Sequence, residues 1–280
     1  MIQRAFSRAA AGYDAAAVLQ REIATRMLER LQYVRLQPQR VLDLGCGTGA
    51  ASVELGRRYP AARVLGLDLA LPMLQQASRR DSLWRRLLGR PSLQLVCADA
   101  TCLPLASGSV DLVWSNLMLQ WLDDPAPAFA ELWRVLRPGG LLMFSSFGPD
   151  TLRELRAAFA GSSDPVNRFI DMHDLGDALL HARFADPVMD MEQIELTYPD
   201  ITGVVRDLKS IGASHVRAGR PAGLGGRRRW QQARERYEQF RRSDGRLPAT
   251  FEVVYGHAWR VQTTGAEPGA PQPVRFVGRD

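Results

Sequence analysis

The first concentration of chemistry in this chain is V-L-D-L-G-C-G-T-G at residues 41–49, where an apolar run carries an acid, Asp43, ahead of Gly45, Gly47 and Gly49. Glycines in a strand-to-helix turn let the backbone adopt positive φ and approach a ligand where a Cβ would intrude. A second acid, Asp68, stands nineteen residues past Gly49 at the end of another apolar run. A carboxylate there can accept hydrogen bonds from both hydroxyls of a ribose. Gly45 to Ala50 also fits the G-x-G-x-x-A form of a dinucleotide fingerprint. The two ligand classes differ in charge. A dinucleotide presents a pyrophosphate to the helix N-terminus, whereas an acid before the first glycine suits a nucleoside whose other end carries an ammonium. Asp43 occupies that place. Asp99 with Ala100 can hold an adenine amino group, and S-N-L-M-L-Q-W at 115–121 follows the next apolar run at the edge of the same crevice.

The elements that would position these groups alternate in type. Continuous apolar runs at 40–44, 63–68, 93–99, 110–115 and 141–147 read as strands covered on both faces. Helical stretches lie between them, which argues for a parallel sheet with right-handed crossovers. Leu19, Ile23, Met27 and Leu31 recur on one face and predict a helix over about 14–34 that Pro38 closes. Asp124 and Pro125 open a helix whose stripe is Phe129, Leu132, Trp133 and Leu136, and R-P-G-G at 137–140 ends it. Thr151 and Glu154 have the spacing of a capping box. In the second half, 191–198 and 251–261 predict strands, while Ile201, Val204, Val205, Leu208 and Ile211 mark a helix. Another helix is expected over about 228–242, and the Pro/Gly-rich end from 263 to 280 reads as disordered.

Composition narrows the function classes. The 280 residues contain no apolar run of the roughly 20 residues that a membrane span needs. The N-terminus lacks the apolar core of a secretory signal, and the expectation is a cytoplasmic protein. Cys46, Cys97 and Cys102 make no disulfide framework, and His173, His181, His215 and His257 lack ligand spacing, so no metal site is expected. No Ser/His/Asp or Cys/His constellation is visible. The net charge is +6, and ten arginines fall between Arg217 and Arg246 against Glu235, Glu238 and Asp244. Such a cluster can dock an acidic protein, bind nucleic acid or merely solvate a face; no aromatic stacking platform for RNA accompanies it. Lys209 is the single lysine.

In order and spacing, the motifs from 40 to 147, ending in R-V-L-R-P-G-G at 134–140, resemble the class I methyltransferases. Outlying pieces narrow the resemblance. A-F-S-R-A-A-A-G-Y-D at 5–14, S-N-L-M-L-Q-W, L-K-S-I-G-A-S-H at 208–215 and G-R-L-P-A-T-F-E-V-V-Y-G at 245–256 resemble the malonyl-[acyl-carrier protein] O-methyltransferases of biotin synthesis. The resemblance implies an α/β, Rossmann-like fold with a seven-stranded, mostly parallel sheet, helices on both faces and a helical insertion before the last strand. It divides the chain into a helical lid at 1–37, a catalytic domain at 38–262 with an insertion at about 200–246, and the tail. It further implies S-adenosylmethionine held by Arg8, Asp43, Gly45, Gly47, Gly49, Asp68, Leu69, Met73, Asp99, Ala100 and Asn116. Ala70 departs from the hydroxyl residue that many relatives carry there. The implied acceptor is the free carboxylate of a malonyl thioester on acyl carrier protein, with Gln120, Trp121, Arg206 and Lys209 facing it. Tyr13 would close over the methyl donor. Arg206 and Lys209, three apart on the polar side of the 201–211 helix, can face one target, and Arg206 would clamp the carboxylate as a bidentate guanidinium. The arginine-rich insertion would dock the acidic carrier. Rival readings are a methyltransferase for another small acid or a quinone precursor, and a relative that has left methyl transfer as an assembly factor or arginine hydroxylase.

Overall fold

A computed structural model of the chain describes residues 2–88, 93–160, 169–210 and 225–261. The tail from 263, Arg217, Arg220, Ile211 and His215 lie outside these residues. In chain order the elements are α1 (Ile2–Ala9), α2 (Tyr13–Ala16), α3 (Val18–Leu31), β1 (Arg40–Leu44), α4 (Ala50–Arg58), β2 (Arg63–Asp68), α5 (Leu71–Leu88), β3 (Gln94–Cys97) and β4 (Val110–Asn116). After a 3₁₀ turn at Leu119–Trp121 come α6 (Ala126–Val135), β5 (Leu136–Phe147), α7 (Arg153–Ala158), α8 (Met172–His181), β6 (Phe184–Tyr198), α9 (Ile201–Ser210), α10 (Gly225–Glu238) and β7 (Leu247–Arg260).

The seven strands form one sheet in the order β3-β2-β1-β4-β5-β7-β6. β1 to β5 pair in parallel, and β7 runs antiparallel to both of its neighbours. Alternate residues of the central strands feed two cores. Val41, Leu112, Trp114, Leu141 and Met143 pack with Leu19, Ile23, Met27 and Leu31 of α3 on one face. Leu42, Leu44, Val113, Leu142 and Phe144 pack with α6 and α8 on the other. Helices cover both faces, which explains why these strands read as unbroken apolar runs. The chain order reverses between β1 and β4, so the carboxyl ends of β1, β2 and β4 flank a crevice of the kind that binds ligands in such sheets.

Tertiary contacts modify several local signals. The stretch expected as one helix breaks at Ala17 (φ −79°, ψ 45°), while the Arg21 guanidinium donates to the Asp14 carbonyl. β3 ends at Cys97 because Ala98 and Asp99 leave the sheet toward the crevice. β6 begins seven residues before the alternating segment that suggests it; Asp186 at φ 49° and a register shift between Ala185 and Val188 interrupt the alternation there. Residues 137–140 form no separate turn but an irregularity inside β5, between the pairs Val110–Leu136 and Leu112–Leu141. Asp124 Oδ1 accepts from the Ala126 N–H at 2.9 Å, but Pro125 takes the cap position of α6, which has no side-chain cap.

Thr151 and Glu154 do not form a capping box. Leu152, at φ 58°, precedes α7 without a side-chain cap. Both polar side chains turn instead to the strand that crosses beneath. Thr151 Oγ1 donates to the Glu252 carbonyl at 3.0 Å and accepts from its N–H at 3.1 Å. The buried Glu154 carboxylate accepts from the Thr250 N–H and hydroxyl. Satisfying a buried carboxylate outweighs a local cap. Thr250→Val preserves side-chain shape and removes one donor from that carboxylate. Its urea unfolding midpoint should fall by the equivalent of about 1–3 kcal/mol at unchanged slope, and an unchanged midpoint would show that the pair contributes nothing.

Candidate functional site

The loop after β1 is built by its backbone. Gly45 N–H and Cys46 N–H both donate to the Leu67 carbonyl, at 2.8 and 3.0 Å, so the end of β1 is drawn onto the end of β2. Gly47 N–H then donates to Asp68 Oδ2 at 2.9 Å. Gly45 sits at φ +73°, and a Cβ there would lie 2.5 Å from Met118 Cγ. Gly47 sits at φ +53° with nothing within 4 Å of its Cβ position. The first glycine is therefore required by packing, and the second leaves backbone open toward the crevice.

A cavity of about 270 Å³ opens at this point. Gly45, Gly47, Asp68, Leu69, Met73, Asp99 and Ala100 line one half. Burial pushes the Asp68 carboxyl above the usual range, opposed by N–H groups at Ala70, Gly47 and Leu69. The Ala70 N–H donates to Asp68 Oδ1 at 2.8 Å, a backbone contact that needs no hydroxyl at position 70. Asp99 Oδ1 accepts from the N–H and hydroxyl of Thr101, both at 2.8 Å. This donor set suits a nucleoside: a carboxylate for hydroxyls at Asp68, a second acid at Asp99, and apolar Leu69 and Met73 for a flat base.

Asp43 is not part of the cavity lining. It is fully buried beneath the loop and accepts from Ser52 Oγ at 2.5 Å. Burial pushes its pKa up to about 7, the Ser52 hydrogen bond opposes that, and the Asp68 charge adds to it. Gly49 likewise lies outside the lining; its Cβ position is 2.9 Å from Ala77 Cβ, so it lets α4 and α5 approach.

The N-terminal segment closes the other side. Asp14 Oδ1 accepts from Thr48 Oγ1 at 2.6 Å, and Asp14 Oδ2 pairs with Arg80, whose Nε also donates to the Thr48 carbonyl at 3.1 Å. This clamp fixes α2 directly to the glycine loop. Tyr13 thereby reaches the cavity beside Phe6, whose ring stands edge-on to Trp121 at 5.1 Å. Burial, and then the charges of Asp68 and Asp14, hold the Tyr13 hydroxyl protonated far above its usual range. Tyr13 can therefore donate a hydrogen bond at neutral pH.

From the end of β4, Asn116, Gln120 and Trp121 line the cavity. Asn116 Nδ2 donates to the Gln20 carbonyl at 3.0 Å, and Asn116 Oδ1 accepts from Ser145 Oγ at 2.8 Å. Its amide thus latches α3 to the sheet. Gln120 Oε1 accepts from the Phe147 N–H at 3.2 Å, leaving its NH₂ group oriented away from that strand. The far wall consists of Phe147, Phe169 and Phe251, with Phe147 5.6 Å from each of the other rings, together with Leu208 of α9.

Besides Asp43 and Gly49, three more expected residues are not brought to this cavity. Arg8 is exposed on α1. Arg206 and Lys209 are exposed on α9, whose inward face is Ile201, Val204 and Leu208. Spacing put Arg206 and Lys209 on one side of the helix, and the apolar stripe decides that this side faces away. Conversely, the sequence reading missed Gln20, Phe6, Met118 and the phenylalanine wall. The stripe of Leu19, Ile23, Met27 and Leu31 could have flagged Gln20 as the neighbour turned off the core face. The phenylalanines come from β5, β7 and the segment before α8, and no local spacing joins them.

Comparisons with known proteins agree with this geometry. A methyltransferase-domain family profile matches residues 42–144. The malonyl-[acyl-carrier protein] O-methyltransferase of Gallionella capsiferriformans (strain ES-2) is 57% identical over 261 residues, covering 92% of this chain and 90% of that protein. The enzyme of the same name from Methylovorus sp. (strain MP688) is 56% identical over 280 residues, covering 99% and 94%. Among solved structures, the YcgJ protein from Bacillus subtilis superposes with a TM-score of 0.58 at 16% identity, over 84% of this chain and 98% of that one. The [4+2]-cyclase SpnF superposes with a TM-score of 0.53 at 21% identity, over 85% and 82%. A cyclase on this scaffold shows that the structural likeness speaks for the fold alone; identity above one half along nearly the whole length speaks for more. The chain belongs to the malonyl-[acyl-carrier protein] O-methyltransferase family.

Proposed function

We propose that this protein transfers the methyl group of S-adenosylmethionine to the free carboxylate of a malonyl thioester on acyl carrier protein, giving the methyl ester. The observation that carries this reading is one cavity joining a nucleoside half, Asp68 and Asp99, to an aromatic half at Tyr13, Trp121 and the phenylalanine wall. The relatives' names supply the acceptor. The reaction fits a cytoplasmic enzyme, and among the described residues no helix is long and apolar enough to cross a membrane.

When bound, S-adenosylmethionine supplies an electrophilic methyl group on a sulfonium. The residues around it need to hold, align and dry the acceptor. A malonyl carboxylate is already ionised at neutral pH, so it would act with a lone pair it possesses, and no residue of the site would need to take a proton. Asp68 would take the ribose hydroxyls, with Leu69, Met73, Asp99 and Ala100 around the base. The Tyr13 hydroxyl and the Gln120 NH₂ group would donate to the carboxylate, and Phe6 and Trp121 would exclude water. Catalysis then rests on proximity and desolvation.

The carrier protein requires a surface outside the cavity. Within the insertion, Arg236 donates to the Ala160 carbonyl, Arg241 pairs with Glu238, Arg242 with Glu195, and Arg246 donates to Thr197. Arg236, Arg242 and Arg246 thereby tie the insertion to the residues after α7 and to β6. Arg206, Lys209, Arg228 and Arg234 are exposed, and we assign docking of the acidic carrier to them. For Arg206 this replaces the carboxylate clamp expected from spacing.

Intact-mass analysis of carrier protein after incubation with S-adenosylmethionine should show one added methyl on malonyl-loaded carrier and none on acetyl-loaded carrier. Cofactor binding without methylation of either would leave the fold standing and reject the acceptor. Arg206→Ala should raise KM for malonyl-carrier by about 5–10-fold, more at low salt, with kcat on malonyl-coenzyme A unchanged; equal loss on both acceptors would return Arg206 to the carboxylate. Asp43 adds a pH dependence. The folded chain holds the Asp43 proton up to about pH 7, whereas the unfolded chain releases it in the ordinary carboxylate range. Stability therefore falls as pH rises through that window and levels off above it. Asp43→Asn removes this titration, so its melting temperature relative to the native protein should rise by roughly 5–8 °C from about pH 5 to about pH 8. A constant difference would mean that Asp43 is ionised throughout.

A further inference from the structure

We propose that the Gln20 side-chain carbonyl accepts a hydrogen bond from the α-ammonium of the methyl donor's methionyl part, making α3 a component of the cofactor site. The proposal rests on the S-adenosylmethionine reading above.

Gln20 lines the cavity from the first turn of α3. Its Oε1 is buried and has no hydrogen-bond donor among the described residues. Buried polar groups in native proteins are nearly always paired, so such an acceptor calls for a donor from a ligand or from solvent. The position of Gln20 is not a loose one. Its own backbone carbonyl is held by Asn116 Nδ2 at 3.0 Å, and Asn116 is held in turn by Ser145 Oγ. On the other side, Arg21 donates to the Asp14 carbonyl, and Asp14 is clamped to Thr48 of the glycine loop. Two strands and one loop therefore fix the backbone from which the Gln20 side chain reaches the cavity.

Its place across the sheet selects the ligand's donor. Gln20 is latched to the end of β4, while the nucleoside residues Asp68 and Asp99 stand at the ends of β2 and β3, beyond β1 in the strand order. The part of the ligand that reaches the β4 side is the one farthest from the base. There S-adenosylmethionine has a single nitrogen donor, its α-ammonium. The reacting end of a malonyl thioester carries only acceptors, which a carbonyl oxygen would repel. Asp43, whose position in the sequence suited the ammonium, is turned beneath the loop to Ser52 and does not line the cavity. A neutral amide oxygen also suits a cavity that must next admit a carboxylate, since a second anion beside the donor would oppose it.

Calorimetric titration of the full chain with S-adenosylhomocysteine and with 5′-methylthioadenosine, which lacks the amino acid end, tests this directly. Gln20→Leu should weaken S-adenosylhomocysteine by about 10- to 100-fold, the range of one hydrogen bond to a charged group, and leave 5′-methylthioadenosine within about twofold. Gln20→Glu, which keeps an acceptor oxygen, should restore most of the loss. Equal weakening of both ligands would overturn the proposal by showing that Gln20 only supports the fold of α3, and so would no weakening of either. If the native protein binds neither ligand, the S-adenosylmethionine reading fails and the proposal falls with it.

Discussion

Two carbonyl-directed N–H groups and one carboxylate-directed N–H group at the turn after β1 set the geometry on which the site depends. Gly45 and Cys46 bond to the end of β2, and Gly47 bonds to Asp68. These contacts hold the ends of the two central strands together and aim Asp68 into the cavity. They also bury Asp43 under the loop, where loss of water keeps its proton near neutral pH. A Cβ at position 45 would drive Met118 away and displace the segment that carries Gln120 and Trp121. One backbone turn therefore sets both halves of the cavity.

The N-terminal segment is bound to that same turn. Asp14 holds Thr48 and Arg80 while its neighbour Tyr13 lines the cavity, so adjacent side chains divide anchoring from shaping the cavity. Farther along, α3 is tied at three levels. Its apolar face enters the core, Asn116 grips its first turn, and Arg26 and Arg30 reach Glu192 and Asp190 on β6. Arg30 also lies over the Tyr255 ring, 3.8 Å from its centroid. A half-exposed ion pair by itself adds little; together with the buried stripe these contacts align the helix with the sheet and bring Gln20 to the cavity wall.

The second half of the chain shows how a charge count can mislead. Ten arginines in thirty residues suggest a broad cationic surface. Four of them, Arg236, Arg241, Arg242 and Arg246, instead meet carboxylates or carbonyls of neighbouring elements. Tyr237 is buried between them and donates to the Pro248 carbonyl at 2.8 Å. A guanidinium with five donors is well suited to bridging such irregular segments, so much of the positive charge is structural.

The parallel sheet, the rough positions of its strands and the residues that line one half of the cavity were legible in the sequence, because each depends on residues close together in the chain. Buried strands show as apolar runs, the turn after β1 shows as alternating glycines after an acid, Asp68 ends β2, and Asp99 follows just past β3. The N-terminal and C-terminal pieces added the family. Side-chain direction was decided elsewhere. The orientation of Arg206 depends on which stripe of α9 the core accepts, and the roles of Thr151 and Glu154 depend on the strand β7 that passes a hundred residues later. Asp43 turns inward because Ser52, in the first turn of α4, donates to it. Gln20 and the phenylalanine wall meet only when α3, β5, β7 and the segment before α8 converge on one crevice. Local pattern determines which elements form; only their packing decides which side chains share a site, since that follows from distances between residues far apart in the chain.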